Sequence, residues 1–185
     1  GKMGFALALA AARAGAAVTL IAGPSPLPTP KGVQRIDVTS ASQMAEAVLA
    51  RVADIDVFVG VAAVADYTPE NTRAQKIKKS GAPITLALKP TLDILATVAS
   101  RPRPPFCVGF AAESEDVERQ AEEKRRRKKL PLLVANRAQD ALGSDSNEVT
   151  LLDDAGAQRL PRMDKLALAQ RLIAEIARRL PGAAQ

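Results

Sequence analysis

The sequence predicts an open α/β fold, a parallel sheet covered by helices on both faces, and three observations carry that expectation. Short apolar runs rich in Val, Ile and Leu alternate with amphipathic stretches through most of the 185 residues. The runs read as buried strands, the form that parallel sheets require. No internal repeat or low-complexity linker divides the chain, so its length predicts one domain, 1–185, with a real core.

Each element has its own warrant. Gly1 and Gly4 open an alanine-rich stretch that predicts a helix ended by Gly15. Residues 17–21 (AVTLI) read as a strand stopped by Gly23-Pro24. The four prolines in 23–31 make that segment a rigid extended loop. A strand over 34–38 follows, and Ser40 with Gln43 forms a capping box for a helix to about Val52. Strand 55–60 feeds a small-residue loop, Asp66-Tyr67 and the cluster Lys76, Lys78, Lys79. Residues 84–88 alternate like a strand, 91–100 read as a short helix and 105–110 as a buried strand. Ser114 caps a helix with Glu115 and Asp116 in its first turn and bases in its last. A strand at 132–135, a hairpin turning at 153–156 and a closing helix over 164–180, stopped by Pro181, complete the chain. The expected architecture is therefore a Rossmann-like parallel sheet with a small C-terminal hairpin and a closing helix.

Composition narrows the chemistry. There is no histidine and a single cysteine, Cys107, inside an apolar run where it reads as a core residue. A disulfide framework, a His/Cys zinc site and histidine acid–base catalysis are excluded. The lone cysteine favours a cytoplasmic setting, and no run approaches the length of a membrane span. The net charge of +6 favours an anionic partner. Four Phe and one Tyr are too few for a base-stacking platform.

Ligands of parallel α/β sheets bind at the carboxyl ends of the strands, where residues 58–79 fall. Asp66 reads either as a turn or cap aspartate or as an acceptor for ribose hydroxyls or a metal–phosphate complex. The lysines after it read either as a solvated charge run or as groups that stabilise charge on a phosphoryl oxygen. Gly1-x-x-Gly4 suits a phosphate loop and equally suits close helix–strand packing. Val117, Ala121, Lys124 and Lys128 share one helix face, which brings the two lysines to the sheet rim or lets them snorkel there. Arg125, Arg126, Arg127 and Lys129 point elsewhere and read as solvated.

These stretches together resemble the phosphopantothenate–cysteine ligase family. The resemblance runs through GKMGFALA at 1–8, GPSPLPTP at 23–30, AAVADY at 62–67, KIKK at 76–79 and VGFAAE at 108–113. It continues through the Lys124/Lys128 helix, AN at 135–136 and SDSNEVTLL at 144–152. The family's domain commonly forms the C-terminal half of a bifunctional protein whose other half is a decarboxylase.

The resemblance implies a CTP- and Mg²⁺-dependent ligase of coenzyme A biosynthesis. The carboxylate of 4′-phosphopantothenate becomes an acyl-cytidylate with release of pyrophosphate; cysteine then attacks it and CMP leaves. FMN is implied only if an upstream decarboxylase domain exists. A homodimer is implied, with neither nucleic acid nor membrane as partner.

Residue by residue, it implies that Lys76 promotes acyl-cytidylate formation. It also implies that Gly60, Val61, Ala62, Asp66, Lys76, Phe110, Lys124 and Lys128 contact the nucleotide. The segment Leu92, Asp93, Ile94, Leu95 matches the base-facing loop, although the family commonly reads Asn-Pro-Asp-Ile where this chain has Thr91-Leu92-Asp93-Ile94. Magnesium ligands are not assigned. The chain begins after a family segment that carries an asparagine and serines of the site, so a domain lacking its first strand and upstream loop is expected. Two other classes compete: an NAD(P)-dependent Rossmann oxidoreductase, and a nucleic-acid-binding module built on the basic run 124–129. The first lacks GxGxxG and has no lysine four residues after Tyr67.

Overall fold

The structure, a computed structural model, describes residues 1–72, 75–79, 81, 83–113, 116–137, 146–180 and 182. Helix α1 (Lys2–Arg13) buries Phe5, Leu7, Ala8 and Ala10, and Gly15 follows it at φ +91°, a conformation that favours glycine. Strands β1 (Val18–Ala22) and β2 (Val33–Asp37) pair in parallel. Arg35 pins the proline-rich loop between them, donating to the Leu27 and Ser25 carbonyls at 2.6 and 3.1 Å and stacking over the Phe5 ring at 5.2 Å.

Helix α2 (Ala41–Leu49) starts where expected, with Ser40 Oγ accepting from Gln43 N at 3.2 Å. The return bond of the capping box goes to Thr39, whose N–H donates to Gln43 Oε1 at 2.8 Å. The helix stops short of Val52, which begins a 3₁₀ turn, Val52–Asp54.

The main sheet has five strands in the order β3 (Val57–Gly60), β6 (Phe106–Glu113), β7 (Leu132–Arg137), β8 (Ser146–Asp153) and β9 (Gly156–Asp164). The first three are parallel, whereas β8 runs antiparallel to β7 and to β9. The C-terminal hairpin is therefore the antiparallel end of the sheet itself.

Alternation along β6 and β7 divides the core into two layers. Val108, Leu132 and Val134 pack with Leu7 and Ala10 of α1 and with Leu168, Ala169, Leu172 and Ile176 of α5 (Lys165–Arg179). Cys107, Ala111, Leu133 and Ala135 face the other way, onto α2, α3 (Ile94–Ala99) and α4 (Val117–Arg127). Helices on both faces and a buried Cys107 agree with the sequence, and burial pushes its thiol up to about 11.

Three further differences arise. The apolar alternation at 84–88 does not form a strand. The pairing falls instead on β4 (Tyr67–Pro69) and β5 (Leu88–Pro90), an antiparallel arm apart from the main sheet. Asp116, at φ 45°, is the N-cap of α4, with Glu118 as the acid of the first turn; the expected roles of Ser114 and Glu115 lie outside the described residues. Arg125 is buried, where a solvated side chain was expected. Its guanidinium donates to Glu122, Asp154 and the Leu130 carbonyl, which together offset its desolvation.

Among the described residues the β1–β2 pair is not hydrogen-bonded to the five-stranded sheet. It shares the same helical layers, since α1 packs on β1 and α5 while Ile21 of β1 joins the α2–α3–α4 core.

Candidate functional site

Strand β6 outruns its neighbour. The last β3–β6 pair is Gly60 with Gly109, so Phe110, Ala111, Ala112 and Glu113 extend past the carboxyl end of β3. Gly109 admits no side chain there: a Cβ would lie 2.8–2.9 Å from terminal carbons of Leu130, Leu133 and Leu95. Its absence lets α3 sit close upon β6. Leu95 likewise covers Gly60, with Cδ1 3.5 Å from where a Cβ would stand.

Around this edge the structure gathers most of the expected residues. Val61 follows Gly60 and packs, like Phe110, in the layer of α1, whose Gly4 approaches Val61. Ala62 is exposed at the start of the loop that leads to Asp66. Asp66 stands at the base of the β4–β5 arm, and its carbonyl accepts from Thr91 N at 2.9 Å. That bond ties the 60–66 loop to the segment Leu92, Asp93, Ile94, Leu95. Phe110 and Leu95 lie on opposite faces of the sheet, so the expected nucleotide contacts converge at its edge and not on one face.

The lysines of α4 reach the same edge. Ala121 is fully buried against the sheet, and one face of the helix carries on to Lys124 and then to Lys128, the C-cap. Lys128 Nζ pairs with Asp93 Oδ2 at 2.7 Å, and Lys124 Nζ lies 3.8 Å from Glu113 Oε1. Burial alone raises the Asp93 carboxyl, but Lys128, the Ala96 amide and the charge of Lys124 outweigh it and hold it below the ordinary range.

Lys76, Lys78 and Lys79 are exposed in the loop joining β4 and β5. The structure thus brings Lys124, Lys128, Asp93 and the Asp66 loop together and leaves Lys76 on the arm. Sequence reasoning gave Glu113 no role; its signal was a carboxylate ending a long apolar strand.

Comparisons with known proteins agree on what this arrangement is similar to. The family model described as DNA/pantothenate metabolism flavoprotein C-terminal domain matches residues 1–180. The coenzyme A biosynthesis bifunctional protein CoaBC of Escherichia coli (strain K12) is 45% identical over 186 residues, covering 97% of this chain and 46% of that protein. Its counterpart in Vibrio vulnificus (strain YJ016) is 44% identical over 182 residues, covering 95% of this chain and 45% of that protein. The chain therefore spans under half the length of these relatives. The crystal structure of the C-terminal domain of a CoaBC protein superposes with TM-score 0.80 at 34% identity, covering 95% of this chain and 81% of that one. A DNA/pantothenate metabolism flavoprotein from Streptococcus pneumoniae shares the fold, with TM-score 0.78 at 20% identity over 95% of this chain and 87% of that one.

Proposed function

We propose, from the premise that this chain belongs to the DNA/pantothenate metabolism flavoprotein C-terminal domain family, that it is the phosphopantothenate–cysteine ligase part of a coenzyme A biosynthesis protein. The observation that carries this reading is the edge at β3 and β6. There the small-residue loop 60–66, the 92–95 segment and two lysines of one helix converge, an arrangement that suits an anionic nucleotide.

The reaction is the one that the resemblance to the phosphopantothenate–cysteine ligase family implies. The carboxylate of 4′-phosphopantothenate attacks the α-phosphorus of CTP, and pyrophosphate leaves. The cysteine amine then attacks the acyl carbon, the C–N bond forms, CMP departs with the C–O electron pair and the amine loses its proton to solvent. Lys124 and Lys128 bind the phosphates, and Lys76, carried on the arm, offsets the charge that develops in the first step. The small residues 60–62 and the 92–95 segment hold ribose and base. Aminolysis of an activated acyl phosphate depends on orientation more than on a strong base, which suits a chain without histidine.

Among the described residues no group of three or more acidic, Cys or His side chains could hold a metal. That fits magnesium arriving on the triphosphate and held by one carboxylate, for which exposed Asp66 is the candidate. When bound it would supply charge neutralisation of the phosphates.

Three parts of the reading concern what surrounds the domain. The single domain 1–185 lacks a first strand and upstream loop, whose seat is between β1 and β3; the edges there, unpaired among the described residues, support it. The protein is a homodimer, for which the exposed Tyr67, Ile84, Leu86 and Leu88 of the arm offer an apolar face. The protein works in the cytoplasm, and FMN belongs to it only if a decarboxylase half accompanies this domain, as the bifunctional relatives support.

Pyrophosphate release by the full-length protein tests the reading. It is expected only with CTP and 4′-phosphopantothenate together. Tight NADPH binding without any response to CTP would overturn it.

A further inference from the structure

We propose that the Asp93 side chain is a positioning group that acts on the nucleotide only through Lys128, while the backbone of 92–95 faces ribose and base, an assignment that rests on the CTP reading above. Both oxygens of this carboxylate are engaged: Oδ1 accepts from Ala96 N at 3.0 Å, and Oδ2 meets Lys128 Nζ at 2.7 Å. Asp93 is the N-cap of α3 and Lys128 the C-cap of α4. Each therefore carries the charge that its own helix end favours, and the pair joins the two ends.

The chemistry of the ligand decides the role. A carboxylate facing a triphosphate is a like charge, so a direct contact from the Asp93 side chain would weaken binding. Paired with Lys128, the same carboxylate fixes a long ammonium side chain before the ligand arrives. The rotamer entropy of that chain is then spent in folding and not in binding. Lys128 is largely buried in this pose and keeps a hydrogen available for a phosphate oxygen, since an ammonium has three donors. Glu113 and Lys124 repeat the arrangement more loosely at the end of β6.

Asp93→Asn separates the two engagements. Asparagine caps a helix as well as aspartate does but carries no charge for Lys128. In the full-length protein the variant is expected to raise KM for CTP about tenfold, the weight of roughly one charged hydrogen bond, with kcat changed less. In a Lys128→Gln background the same substitution is expected to add nothing, because the partner is already gone. An unchanged KM in Asp93→Asn, even with a lowered melting temperature, would make the pair a structural tie and overturn the proposal. A tenfold effect that persists beside Lys128→Gln would equally overturn it, since Asp93 would then act by itself. Absence of CTP turnover in the wild-type protein sinks the ligase reading; turnover with an insensitive Asp93→Asn sinks this inference alone.

Discussion

Arg125 Nη1 donates to Asp154 Oδ1 at 2.9 Å, joining the inner face of α4 to the turn between β8 and β9 across 29 residues. The two side chains are unequally placed, with Arg125 7% exposed and Asp154 93%. Removing the buried partner is therefore the costly change. Arg125→Met, which keeps the apolar stem, leaves the Leu130 carbonyl without its charged donor. It is expected to lower unfolding free energy by about 2–3 kcal/mol, whereas Asp154→Ala costs less than about 1 kcal/mol. Urea unfolding of the two variants measures the difference.

Strong acid should weaken the same network. Hydrogen bonds from Arg125 and then Arg126 hold the Glu122 carboxyl at about 2, below its ordinary 4.5. The folded state thus binds this proton more weakly than the unfolded chain does. The stabilisation is complete above pH 4.5 and is lost as pH falls toward about 2. Thermal melts of wild type and Glu122→Gln should differ at pH 7 and converge near pH 2.

Gly109 is expected to tolerate no side chain. A methyl group there meets three leucines at 2.8–2.9 Å, and Leu130 and Leu133 are buried and held by their own neighbours. Gly109→Ala should cost about 1–3 kcal/mol by overpacking, read as a shift in denaturant midpoint without a change of slope.

Lys76→Gln should lower pyrophosphate release by about a hundredfold or more, the scale seen when a charge-stabilising donor is removed. Lys78→Gln, on the same exposed loop, should stay within about twofold if that lysine is a solvated neighbour. Single-turnover assays separate the two.

The features legible beforehand were those written in local chemistry. Ser40 announces a helix start because its short side-chain oxygen reaches the amides just ahead, and it does so in the structure. The apolar run 105–110 announces a buried strand, and β6 takes it up from Phe106 with residues in both core layers.

What failed to show depended on distant partners. The basic run containing Arg125 looks like a solvated face until Asp154 is folded back against it. The arm strands span three residues each, too short for a period to register, and the stronger apolar pattern at 84–88 pairs only at its end, through Ala87 and Leu88. Asp116 takes a left-handed conformation, which aspartate adopts more readily than most non-glycine residues but which its place in the sequence did not announce. Of the candidate site, the loops, the lysines and Asp93 were named from the sequence, but the pairing of Asp93 with Lys128 was not, because an ion pair between residues 93 and 128 is a fact of topology.

The separation of β1–β2 from the larger sheet has a consequence for cooperativity. Two groups of strands that, among the described residues, share no hydrogen bond and meet through helix packing should open as two units, with α1 touching both β1 and α5. Amide exchange should therefore reveal a step: protection in β1 and β2 lost at a lower free energy than in β6 and β7, where every strand is hydrogen-bonded on both sides. A strand seated between β1 and β3 would merge the two units into one transition and erase that step.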